Sequence, residues 1–176
     1  MKDEVQEQKT TKKLISVIIP AYNESECIEE LHYRLAKVFD SETDYEFEAV
    51  IVENGSIDNT YEKLLKINQS DSRFKILKLA RIFRMDGGLT AGLSVIDSDA
   101  CILMTADLQD PPEQIPNFIR RWEEGFENVY GIVTERQGTG PIRTFNSKVF
   151  YWLAGKLTDD RIPKNASDFR LLDRKV

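Results

Sequence analysis

Apolar and polar positions alternate in two rhythms along this chain. The runs LISVIIP (14–20), EFEAVIVEN (46–54), FKILKLA (74–80), ACILMTAD (100–107) and NVYGIVTE (128–135) are short and apolar. Such runs suit strands buried on both faces. Between them apolar residues recur at helical spacing: Ile28, Leu31, Leu35 and Val38, then Tyr61, Leu64 and Leu65, then Leu89, Leu93 and Ile96. Ser25 is the expected cap of the first helix. TFNSKVFYWLAGKL (144–157) predicts a further helix, and FRLLDRKV (169–176) a closing strand. Repeated strand–helix units predict an α/β fold with a mainly parallel sheet and right-handed crossovers. The stretches 40–45 and 136–143 read as flexible connections.

Polar motifs follow three of the strands. PAYNE follows the first, ENGS the second and ADLQD the fourth. In an open α/β sheet the carboxyl ends of strands form the ligand-binding edge, so three motifs that converge there predict a crevice with a ligand. Phosphate-loop signatures of the GxGxxG and GxxxxGK[ST] kinds are absent. DGG (86–88) opens a helix, either as a turn or as backbone N–H groups facing an anion, and the turn is the expected reading. Asp110, Pro111 and Pro112 are expected to shape the entry into the next helix, since Pro in a first turn gives up no needed N–H.

Composition narrows the class. The 176 residues are 41% hydrophobic and 31% charged, with a net charge of −6, which fits one globular domain and disfavours a general nucleic-acid binder. The charge is uneven. Residues 136–176 carry nine Lys/Arg and four Asp/Glu, a local +5 against −11 elsewhere. That points to an anionic partner, a phosphate or a membrane surface, or to an ordinary solvated face. Cys27 and Cys101 lack metal-ligand spacing and suit a reducing compartment. His32, the single histidine, is expected on a helix surface or in a core contact, not in a catalytic triad. No run approaches the roughly 18 apolar residues of a membrane span, and residues 1–13 read as a loose polar tail.

Taken together, SVIIPAYNE, VIVENGSIDNT, MTADLQDPPE and SDFRLLDRK resemble glycosyltransferase family two. The similarity spans residues 14–176 and is strongest, through DLQDPP and DFRLLDRK, to the branch that glycosylates polyprenyl or dolichyl phosphate. The resemblance implies the GT-A fold, a Rossmann-like mainly parallel sheet flanked by helices. It implies an inverting transferase in cell-envelope glycan synthesis, with a nucleotide-diphosphate sugar as donor and a lipid phosphate as acceptor. Pro20, Ala21, Tyr22, Glu24, Val52, Asn54, Ala106 and Asp107 match the donor-lining positions. Family members often carry Asp where Asn54 stands; an Asn carbonyl still accepts from a base N–H.

Asp107 matches the second carboxylate of the family's Asp-x-Asp motif, which holds Mg²⁺ or Mn²⁺. Gln109 offers a neutral oxygen, and Thr105 replaces the first Asp. Asp107 and Asp168 are the implied catalytic residues, Asp168 as base or acceptor-positioning group. Arg136, Arg143 and Ser147 match the acceptor loop, where Arg suits phosphate. The apolar set Phe145, Val149, Trp152, Leu153 and Leu157 reads as a core helix or as one resting on a membrane. Family members often continue into further helices and membrane spans, which leaves a fragment and a partner-dependent protein as readings. The expected location is cytoplasmic, at the inner membrane face. The rivals are a nucleotidyltransferase, a non-catalytic nucleotide-sugar-binding or assembly module, and a transferase with a soluble acceptor. PAYNESE is acidic where a nucleotidyltransferase needs a basic glycine-rich loop.

Overall fold

The computed structural model describes residues 12–132 and 166–176. The predicted helix at 144–157, the connection at 136–143 and the acceptor residues Arg136, Arg143 and Ser147 lie outside them. β1 (Lys13–Ala21), β2 (Tyr45–Glu53), β3 (Phe74–Lys78), β4 (Ala100–Leu103), β5 (Asn128–Ile132) and β6 (Ala166–Asp173) form one sheet in the order β3-β2-β1-β4-β6-β5. The β1–β2, β2–β3 and β1–β4 pairs are parallel, as the strand–helix alternation predicts. β6 breaks the pattern: it inserts between β4 and β5 and runs antiparallel to both.

α1 (Ile28–Ser41), α2 (Thr60–Ser70) and α4 (Ile115–Glu123) bury the larger core. Ile28, Leu31, Leu35 and Val38 are buried along the predicted stripe of α1. Its cap lies two residues past the expected Ser25. Cys27 is its N-cap, without a side-chain bond, while the Ser25 N–H donates to Asp58. The connection after α1 is a tight turn, not a flexible linker: Glu42 N–H donates to Val38 and Tyr45 N–H to Glu42.

Among the described residues, α3 (Arg84–Leu93) is the helix that covers the other face. Of the expected stripe, Leu89 and Ile96 are partly buried against this face, while Leu93, where the helix stops, is exposed. Its buried positions are Gly88 and Gly92. A Cβ on Gly92 would stand 2.4 Å from Ile18 Cγ2 and 3.2 Å from Val52 Cγ2. The helix therefore packs by its backbone against β1 and β2, and DGG lies in its first turn rather than in a loop. His32 lies on α1, edge-on to Phe74 and 3.8 Å from Asp71, as a core contact. Among the described residues no helix is long and apolar enough to cross a membrane.

Candidate active site

The acidic corner at the end of β4 is built by one threonine. β4 ends at Leu103, four residues before the apolar run predicts, and the chain turns through Thr105–Asp110. Leu108 takes a left-handed φ of 63°. Asp110 Oδ2 accepts from both the N–H and the hydroxyl of Thr105, each at 2.9 Å. The same hydroxyl lies 2.7 Å from Asp107 Oδ1, which also accepts from Gln109 N–H at 3.2 Å. One hydroxyl proton faces two carboxylates, so it serves one at a time. Burial pushes the Asp110 carboxyl up; hydrogen bonds from Thr105 oppose this, and the charges of Asp107 and Asp168 add to it. Pro111 and Pro112 then lead through a short 3₁₀ turn into α4, as expected.

The antiparallel β6 brings Asp168 to this corner. Arg170 pairs with Leu103. Asp168 lies two residues beyond the last pair of this ladder, near enough for its charge to act on Asp110. It is exposed, with Arg170 at 3.4 Å. Nothing in the strand–helix rhythm of the sequence predicts this insertion.

The loop after β1 is held from β2's side. Asn23, at a left-handed φ of 56°, donates its N–H to Ser56 Oγ and accepts from Ile57 N–H. Glu24 N–H donates to Thr60 Oγ1 at 2.9 Å and Ser25 N–H to Asp58 Oδ2 at 3.2 Å. Asp58 Oδ1 accepts from Thr60 N–H and hydroxyl at 3.0 and 2.5 Å. Burial of Asp58 opposes ionisation, but the hydrogen bonds from Thr60 and Ser25 outweigh it and bring its pKa down to about 2. Burial pushes Glu24 up, with help from Asp107 and Asp58. Thus Glu24, Asp58, Asp107, Asp110 and Asp168 share one negative field. Asp58 and Thr60 are absent from the candidates read off the sequence; their Asp-x-Thr spacing, suited to a turn that caps a helix, is the signal for them.

The other expected donor-lining residues divide sharply. Tyr22 is 40% exposed beside the crevice. Pro20, Ala21 and Ala106 are buried, so only their backbone is available there. Val52 is fully buried under α3, so only its backbone is available there. Asn54 is 3% exposed and occupied at both ends of its amide: Oδ1 accepts from Phe83 N–H and Nδ2 donates to Arg84 C=O, each at 2.8 Å. Its amide therefore faces the head of α3.

Among the described residues no three His, Cys, Asp or Glu side chains form a metal cage. The donor chemistry still fits a hard cation. Asp107 Oδ1 is fixed by two donors, no hydrogen bond among the described residues reaches Oδ2, and the Gln109 side chain is exposed next to it. Mg²⁺ or Mn²⁺ needs few protein oxygens when phosphate and water complete the shell.

A largely parallel α/β sheet flanked by helices, with an acidic corner at its strand ends, is a Rossmann-like arrangement of the GT-A kind. The chain belongs to glycosyl transferase family 2, whose profile matches residues 16–176. It is 40% identical over 162 residues to an uncharacterized glycosyltransferase of Synechocystis, covering 92% of this chain and 51% of that protein. It is 34% identical to the bactoprenol glucosyl transferase of Shigella phage SfX, covering 92% and 53%. Its fold matches glucosyl-3-phosphoglycerate synthase from Mycobacterium tuberculosis, crystallised with Mn²⁺, UDP and glucosyl-3-phosphoglycerate. That match has a TM-score of 0.69 at 17% identity and covers 93% of this chain and 57% of that one. The chain spans about half the length of the curated relatives it matches.

Proposed function

We propose that the chain is the catalytic domain of an inverting glycosyltransferase that moves a sugar from a nucleotide diphosphate to a polyprenyl-phosphate-type acceptor. The observation that carries this reading is the corner at Thr105–Asp110, where Asp107 is fixed by Thr105 and Gln109 and Asp168 arrives from β6. Its support is the family match, the name of the phage bactoprenol relative, and the fold shared with a synthase that binds Mn²⁺ and UDP.

Asp107, with Gln109, would hold a divalent cation at the donor site. When bound, that cation offsets the charge gathering on the departing diphosphate. Tyr22 and Glu24 flank the nucleotide. An acceptor phosphate oxygen attacks the anomeric carbon from the face opposite the diphosphate. The new C–O bond forms as the bond to diphosphate breaks, and the electron pair leaves with the diphosphate. The acceptor is already ionised, so Asp168 positions it rather than taking a proton. Arg136, Arg143 and Ser147 are the proposed acceptor-phosphate residues, and the site of action is the inner membrane face.

The test has two stages. Titration of UDP, GDP and dTDP, with and without Mn²⁺, should give one nucleotide that binds only with metal. The matching nucleotide sugar should then label polyprenyl phosphate with inverted anomeric configuration. Absence of nucleotide binding to the folded chain refutes the donor site; binding without lipid labelling refutes the acceptor.

A further inference from the structure

Asn54 joins three elements that meet at the crevice. Its main-chain N–H donates to Ala21 C=O at the end of β1, at 2.9 Å. Its side chain bridges the N–H of Phe83 and the C=O of Arg84 at the head of α3. One residue earlier, Glu53 C=O accepts from Leu79 N–H beyond β3. The chain it grips is unusual. Arg84 has a φ of +60°, a left-handed conformation that a non-glycine residue adopts at a cost.

The neighbouring glycines show how closely the parts meet. Gly55 has a φ of +81°, and a Cβ there would stand 2.9 Å from Ile82 N. A Cβ on Gly88 would stand 2.9 Å from Pro20 Cβ and 3.4 Å from Asn54 Nδ2. Two side-chain-free positions thus let the 81–84 turn and α3 close onto the ends of β1 and β2. The buried amide fastens them there with a donor and an acceptor, both used.

We propose that Asn54 is a positioning residue of the donor site, an inference that rests on the donor-binding reading above. It fixes the distance between the Tyr22 loop, through Ala21, and the wall formed by Phe83 and Arg84, and touches no ligand itself. The role requires an amide. A carboxylate would still accept from Phe83 N–H but would turn an oxygen toward Arg84 C=O, and two acceptors repel. A residue that met the base directly through its oxygen would instead tolerate Asp.

Asn54→Ala and Asn54→Asp separate these roles. Amide exchange at Phe83 should quicken in Asn54→Ala, and unchanged exchange there overturns the clamp. Affinity is then measured, well below each variant's melting temperature, for whichever of UDP, GDP and dTDP the wild type binds in Mn²⁺. Both variants should bind about tenfold more weakly or worse, the scale of one lost interaction. A clamp that only stabilises the fold would lower Tm and leave affinity intact, which overturns the positioning role. Wild-type affinity in Asn54→Asp overturns it too, in favour of direct contact. A wild-type chain that binds none of the three refutes the donor-site reading and the positioning role with it, whereas the exchange result judges the clamp separately.

Discussion

Removing the Asp58 carboxylate should loosen the loop that carries Tyr22 and Glu24 and cost measurable stability. Asp58 accepts from Ser25 N–H, Thr60 N–H and the Thr60 hydroxyl. The fall of its pKa from an ordinary 3.8 to about 2 corresponds to about 2.5 kcal/mol, at about 1.4 kcal/mol for each pH unit. The side chain is only partly buried, and solvent screening reduces this to about 1–1.5 kcal/mol. A group whose folded pKa lies below its unfolded value binds fewer protons when folded. Its contribution is therefore complete above about pH 4 and drains away as pH falls from 3.8 through about 2. Urea unfolding of wild type and Asp58→Ala from pH 7 to pH 2.5 measures the difference directly. Comparing the two proteins cancels the other carboxylates held low, such as Asp71 and Glu113. Asp58→Asn, whose amide oxygen still accepts, should recover part of the loss without the acid dependence. A gap under about 0.5 kcal/mol at pH 7, the usual scatter of neutral surface substitutions, or one that stays constant down to pH 2.5, would refute the reasoning.

Asp107→Asn should remove metal-dependent nucleotide binding while leaving the melting temperature near that of wild type, because its partners Thr105 and Gln109 N–H can still donate to an amide oxygen; calorimetry with and without Mn²⁺ decides it. Thr105→Val deletes the hydroxyl that faces Asp107 and Asp110 and should destabilise by about 1.5–3 kcal/mol, the range for one hydrogen bond to a charged group, read from the urea midpoint at pH 7. The loss should shrink toward acid pH as Asp110, whose carboxyl is already pushed up, takes a proton. Gly92→Ala puts a methyl against Ile18 and Val52 and should lower stability by about 1–3 kcal/mol through overpacking, measured as a fall in Tm.

Much of this protein is legible without coordinates. Four apolar runs and the spacing of Ile28, Leu31, Leu35 and Val38 determine β1 to β4 and the buried face of α1, because burial on a fixed period leaves a direct imprint on composition. The motifs after β1, β2 and β4 likewise mark the edge where Asp107 sits, since parallel strands must end on the same side. Tertiary structure alone decided three things. It brought Asp168 to the corner that holds Asp110, through an antiparallel insertion that no local pattern encodes. It packed α3 through Gly88 and Gly92 beside Leu89, where closeness of backbones leaves the most buried positions without an apolar side chain to read. It turned Asn54 inward to Phe83 and Arg84. The direction of that side chain depends on a turn about thirty residues away, and a hydrogen bond formed across such a distance has no trace in the sequence around it.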